Sequence, residues 1–163
     1  MATITTTSGG ASAGRTAGSV PYLVDRFIDF AAAATSKGSA LAAADVIECI
    51  SVPVNTLILN AGIEITTVLG GESSDTTFDL GITGTDADVF VDGFDADAAA
   101  AGAYAQNAAA FQPVVIGATA DTIDLLIATA TTAPTSGVAR VWAVLMNVDG
   151  RPATDEADRD QLA

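Results

Sequence analysis

Apolar and polar positions are patterned most regularly over residues 45–69, DVIECISVPVNTLILNAGIEITTVL. Residues 46–52 are β-branched and apolar, and Pro53, Val54, Asn55 and Thr56 supply a turn, because proline presets φ and asparagine tolerates a left-handed backbone. Alternation follows. Leu57, Leu59, Ala61, Ile63 and Ile65 fall on one face; Thr56, Asn60, Glu64 and Thr66 fall on the other, with Ile58 breaking the pattern. Period-two alternation predicts a half-buried antiparallel strand. The two runs read as a hairpin at the centre of a β-sandwich.

The same reading extends along the chain. Residues 22–30 predict a first strand, with Leu23, Asp25, Phe27 and Asp29 on one face and Val24, Arg26, Ile28 and Phe30 on the other. Residues 31–44 are alanine-rich but interrupted by Lys37, Gly38 and Ser39, which predicts a loop with at most a short extended piece. Residues 70–75 form a polar loop. In residues 78–82, Phe78, Leu80 and Ile82 point inward. Residues 88–92 make a short strand, and residues 96–109 are the one place where a helix is expected. Pro113 demotes residues 111–117 to an edge strand. In residues 121–129, Ile123, Leu125 and Ile127 share a face, and residues 131–137 form a loop. Residues 138–148 are apolar on both faces around Trp142, which predicts a central strand covered on both sides or one face buried against a sister subunit.

Three regions result: an N-terminal arm over 1–19, a β-sandwich domain over 20–150 and a charged C-terminal tail over 151–163. The arm is rich in Thr, Ser, Gly and Ala, a composition that buries little apolar surface. It reads either as a disordered tail or as an arm that orders against a neighbour as an added strand. No period of 20 to 50 residues recurs. The expected fold is all-β, an antiparallel β-sandwich or jelly-roll-like domain with an extended N-terminal arm and at most one short helix.

Composition narrows the function. The chain has 163 residues, half of them hydrophobic, so one domain with a core is expected. Much of the apolar content is alanine, so the core is expected to be thin. Six basic residues against 20 acidic ones give a formal net charge of -14. Nucleic acid and anionic membranes are therefore excluded as partners, since phosphate binding needs clustered Lys and Arg. A basic protein partner is favoured instead. Cys49 is the single cysteine, so no intrachain disulfide forms, and it reads as a small buried hydrophobe. No run reaches the ~18 apolar residues that span a bilayer. Residues 1–19 lack the basic and apolar regions of a signal peptide, so a soluble, unsecreted chain is expected.

Candidate chemistry is sparse. The chain has no histidine, which removes Ser-His-Asp and Cys-His machinery and His-ligated metal sites. Lys37 is the only lysine, and no glycine-rich phosphate loop precedes it. Asp86, Asp88, Asp92, Asp95 and Asp97 crowd into TDADVFVDGFDAD, and oxygen ligands suit Ca²⁺. The spacing does not match an EF-hand loop, so a solvated acidic loop is expected. Asp121 and Asp124, offset by three, face opposite ways on a strand and cannot act together; glycoside chemistry would need Asp79 and Asp124 to approach across strands, which nothing in the sequence requires. Trp142 with Tyr22 or Tyr104 would make a sugar platform, but a Trp within an apolar strand reads as core. No catalytic, cofactor-binding or metal-binding residue is assigned, and an enzyme is not expected.

The run VIECISVPVNTLILNAGIEITTV, followed by FDLGITG, DVFVDG and TADTIDLLIATATTAPTSGVARVWAVLMNV, resembles the capsid decoration, or cement, proteins of tailed bacteriophages. The resemblance covers residues 45–148 and rests on strand order and on the placement of glycine and aspartate. It implies a β-sandwich or jelly-roll virion subunit, often a homotrimer, seated on the outer capsid surface at local threefold positions after synthesis in the host cytoplasm. The implied partner is the major capsid protein, clamped against the pressure of packaged DNA. Such proteins act through surfaces, so no functional residue is carried over. Alternatives are a tail-tube or head-to-tail connector component, and a carbohydrate-binding module.

Overall fold

The computed structural model of the protein describes residues 3–5, 20–82, 84–97, 99–106 and 112–148. The chain order is β1 (Thr3–Thr5), β2 (Tyr22–Asp29), α1 (Phe30–Lys37), β3 (Val46–Val52), β4 (Thr56–Gly70), β5 (Thr77–Ile82), β6 (Asp86–Asp95), β7 (Tyr104–Gln106), β8 (Val114–Ile116), β9 (Asp121–Thr129) and β10 (Ser136–Asn147). Sheet I has the order β1-β3-β9-β5-β6; sheet II has the order β2-β10-β4-β7, with β8 also pairing to β4. All pairings are antiparallel except β1 on β3. The expected all-β sandwich is thus observed. The C-terminal tail over 151–163 and most of the arm lie outside the described residues. Residues 3–5 of the arm add a strand to the edge of the chain's own β3.

The core is formed where two apolar sheet faces meet. Ile123, Leu125 and Ile127 of β9 and Phe78, Leu80 and Ile82 of β5 point inward as alternation predicts, all nearly inaccessible. They meet Ile58, Ala61, Ile63 and Ile65 of β4 and Ala139, Val141, Ala143 and Leu145 of β10. Alanine therefore lines sheet II, while Phe30, Phe78 and Phe90 are the largest fully buried side chains.

The central turn exists, with Asn55 at φ 55°, but it does not make a hairpin. β3 pairs with β1 and β9, whereas β4 pairs with β10, β7 and β8. Residues 53–55 carry the chain from one sheet to the other. The Asn55 amide donates to the Gly117 carbonyl (3.1 Å), and the Asn55 carbonyl accepts from the Val148 amide (2.8 Å). The turn's hydrogen bonds are thus taken by the ends of β8 and β10. The expected faces of β4 also need correction. Val144 sits opposite Asn60 and Leu145 opposite Ile58, which leaves Leu59 as an extra residue in a β-bulge. A bulge reverses the phase of alternation. Thr56 and Ile58 are therefore buried and Leu57 and Leu59 only half-buried, while Ala61, Ile63 and Ile65 keep their expected inward face.

A helix, not a loop, follows β2. Asp29 Oδ1 accepts from the Ala31 and Ala32 amides (2.9 and 3.1 Å) and starts α1. Gly38 at φ 77° ends it, donating its amide to the Ala34 and Thr35 carbonyls. The Lys37-Gly38-Ser39 interruption is the helix terminus. Phe30 and Ala33 are buried, and the Phe30 ring stacks on Phe78 with centroids 5.3 Å apart. The helix expected within residues 96–109 is absent from the described part of that stretch. Gly102 at φ 88° bends the backbone, and Ile65 exchanges hydrogen bonds with Gly102 and Ala103, drawing Tyr104–Gln106 into sheet II as β7.

Two polar clusters tie loops at one end of the sandwich. The Lys37 ammonium pairs with the Asp45 carboxylate and donates to the Ala40 carbonyl (2.9 Å), and Asp45 also accepts from the Ala42 amide (2.8 Å). At the same end of sheet I, where β9 finishes, Asp75 accepts from the Thr131 amide and hydroxyl (3.0 and 2.9 Å) and from the Ser73 hydroxyl. These bonds, led by the one from Ser73, hold its carboxyl down at about 2, against an ordinary 3.8. A depressed carboxyl stabilises the fold at pH above its unfolded value and stops doing so as pH falls through its folded value. The stability difference between wild type and Asp75→Asn, measured by urea titration, is therefore expected to be constant above about pH 4 and to shrink between 3.8 and about 2.

Candidate functional site

The two outer sheet faces differ in character. On sheet I the outward positions include Glu48, Ser51, Thr77 and Asp79, which are polar or acidic. Sheet II presents rows in which large apolar side chains stand among a few polar and charged ones. Residues directly opposite in an antiparallel pair share a face, so register alone assembles them. One row runs Phe27, Arg140, Glu64 and Tyr104; the next runs Asp25, Trp142, Gly62 and Gln106; a third runs Leu23, Val144 and Asn60; a fourth joins Met146, Leu57 and Val115. Leu23, Phe27, Tyr104 and Val115 are 62, 57, 68 and 59% exposed. Large apolar side chains grouped at that exposure mark an interaction surface.

Charge on this face is arranged around one cation. Arg140 Nε lies 3.2 Å from Glu64, and Arg140 Nη1 lies 3.9 Å from Asp25. The cation is thus held between a carboxylate on each neighbouring strand. Asp29 stands at the end of the same face of β2, where its side chain caps α1.

Trp142 belongs to this outer face and not to the core, correcting the sequence expectation. β10 does run centrally, between β2 and β4. Its inward positions, however, are Ala139, Val141, Ala143 and Leu145, and Trp142 is out of phase with them. The indole lies against Gly62, where a Cβ would come within 2.7 Å of the ring and 2.7 Å of the Ala105 carbonyl oxygen. Glycine is what lets the ring lie flat on the sheet. Gly62→Ala is expected to lift the ring, red-shift the fluorescence of this single tryptophan and destabilise the fold by about 1–3 kcal/mol, as overpacking does.

The other residues singled out from sequence do not assemble. Asp86, Asp88, Asp92 and Asp95 lie on β6, an edge strand and not a loop, with Asp97 just beyond. Exposed charge on an edge discourages edge-to-edge pairing. A hydrogen bond with Asp86 pushes the Asp88 carboxyl up, and burial pushes Asp79 up despite the Gly93 amide donated to it at 2.7 Å. Among the described residues no group of three or more His, Cys, Asp and Glu is placed to hold a metal ion. Asp124 faces Gly81, while Asp79 faces Leu126 two pairs along, so the two carboxylates are not directly opposite. Cys49 is buried as expected, in a bulge between Glu48 and Ile50. Its thiol donates to the Ile47 carbonyl (3.1 Å), and burial pushes it well above the usual thiol range. No described helix is long and apolar enough to cross a membrane. The rows of sheet II depend on which strands are neighbours, which local alternation does not encode.

No protein-family model matches the sequence, and no curated protein does. Solved structures do match in fold. A chain in the structure described as the capsid of Ralstonia phage GP4 is 19% identical, with a TM-score of 0.59 over 93% of this chain and 100% of that one. A chain in the cyanophage Pam1 capsid asymmetric unit is 17% identical, with a TM-score of 0.58 over 85% of this chain and 93% of that one. A chain in the acidic stable capsid structure of Helicobacter pylori bacteriophage KHP30 is 16% identical, with a TM-score of 0.50 over 78% and 87%. The resemblance read from strand order is therefore met in three dimensions: this chain has the fold of chains that occur in phage capsid structures.

Proposed function

We propose that this chain is a virion structural protein that binds the outside of a phage capsid and stabilises the shell across subunit junctions. The observation that carries this reading is the fold match spanning 93% of this chain and the whole of a chain in a phage capsid structure. Its partner is the major capsid protein, and the bound form is an oligomer, most simply a trimer. No enzymatic step is proposed. Stabilisation follows from mass action: a protein that binds the assembled shell and not free subunits favours assembly at every copy of its site. Residues 1–19 serve as an arm that adds backbone hydrogen bonds, as residues 3–5 do on β3.

The test is to purify virions made from the same genome with and without the gene for this chain. Hundreds of copies per particle and DNA release at lower temperature without the chain are expected. A dozen copies would favour a connector, and absence from purified virions would overturn the reading. Deleting residues 1–19 is expected to lower occupancy; unchanged occupancy would remove the arm from the mechanism.

A further inference from the structure

We infer that the outer face of sheet II is the surface that seats on the shell, and that it fits a protein surface with an apolar centre rimmed by Arg and Lys. This rests on the function proposed above and assigns the binding to one face. Three observations carry it. First, among the described residues seven large hydrophobic side chains are exposed, and four of them (Leu23, Phe27, Tyr104 and Val115) lie on this face, with none on sheet I. The sandwich is two-sided, apolar on one outer face and acidic on the other.

Second, the charges on the apolar face select the partner. Asp25 and Glu64 flank a single cation, Arg140, which both already hold, and Asp29 stands at the end of the same face. The chain as a whole carries a formal charge of -14. Two copies brought together through this face would set like charges against each other, which is unfavourable. A partner with basic groups around an apolar patch would satisfy both the rim and the centre. Third, size argues against a free-standing dimer. Strands ~4.8 Å apart and residues ~3.3 Å apart give four strands by nine positions a projected area of roughly 570 Å². Stable pairwise interfaces bury about 800 Å² per partner. A contact of this size suits a protein held at many identical positions on a large assembly, with other contacts contributed by the arm.

The experiment uses virions produced from the same genome with the gene for this chain disabled, to which purified full-length chain is added back. Occupancy is compared for wild type, Phe27→Asp, Leu23→Asp and Ser51→Asp, the last an exposed position on sheet I. Thermal melting of each free variant checks that it folds. Phe27→Asp and Leu23→Asp are expected to lower affinity about tenfold or more, as loss of a central apolar anchor does. Ser51→Asp is expected to bind as wild type. Wild-type affinity is expected to fall as salt is raised, since the rim charges are screened. Failure of wild type to bind at all would overturn the proposed function. Normal binding of wild type together with normal binding of Phe27→Asp would overturn the face assignment alone. Sedimentation separates the remaining case: a free wild-type oligomer that Phe27→Asp dissociates would make this face a contact between copies and overturn the inference.

Discussion

Lys37→Met is expected to destabilise the protein by about 3 kcal/mol, near the lower end of the range for breaking one partner of a buried ion pair. The reason lies on Asp45. Its side chain is 4% exposed, and the Lys37 ammonium, itself 15% exposed, is the cation paired with it. Removing that ammonium leaves a carboxylate in a poorly hydrated site with the Ala42 amide still donating to it. The pair also ties the last turn of α1 to the start of β3, so its loss loosens the lid on that end of the sandwich. Asp45→Asn in the Lys37→Met background is expected to recover part of the loss, because a neutral amide still accepts from Ala42. Urea denaturation of the three variants measures this. A loss below about 1 kcal/mol for Lys37→Met would mean that the pair behaves as an exposed one.

The second large effect is expected at Phe78. It is fully buried on β5 and stacks on Phe30 at the head of α1, 5.3 Å between centroids with an interplanar angle of 14°. Phe78→Ala removes that ring from a site enclosed by both sheets and the helix, and is expected to lose about 3–5 kcal/mol. Against a typical domain stability of about 5–15 kcal/mol, this change approaches the whole margin. A double-mutant cycle with Phe30→Ala isolates the ring–ring contribution, expected at about 0.5–1.5 kcal/mol beyond burial. Additive losses would show that the rings act only as filling.

Strands whose sides alternate without interruption were readable: Phe78, Leu80 and Ile82, and Ile123, Leu125 and Ile127, are placed as local pattern implies. The all-β class, the edge position of residues 114–116 and the inert environment of Cys49 followed from similarly local chemistry. Errors arose where a distant segment decides. The phase of β4 depends on a bulge against β10, so Leu57 and Leu59 lie off the face that alternation alone predicts. The partner of β3 is β9, more than 70 positions on, so proximity in sequence suggested a hairpin that does not form. The helix at Phe30–Lys37 had its own signals, Asp29 before it and Gly38 after it, which the alternation of β2 running up to Phe30 obscured. The candidate surface was the least legible part. Leu23, Phe27, Trp142 and Tyr104 come from three strands, and only pairing places them side by side.

The position of β10 has a consequence for how the chain reaches this state. Sheet II is completed by Ser136–Asn147, which inserts between β2 and β4, and sheet I by Asp121–Thr129, which inserts between β3 and β5. Strands made early on the ribosome therefore wait, unpaired along their main edges, until residues 121–147 have emerged. Such non-local closure slows folding, to milliseconds or longer in β-rich domains, and leaves adhesive edges open meanwhile. A nascent chain stopped before residue 136 is expected to be captured by chaperones or to aggregate, which makes assembly all-or-nothing with respect to translation.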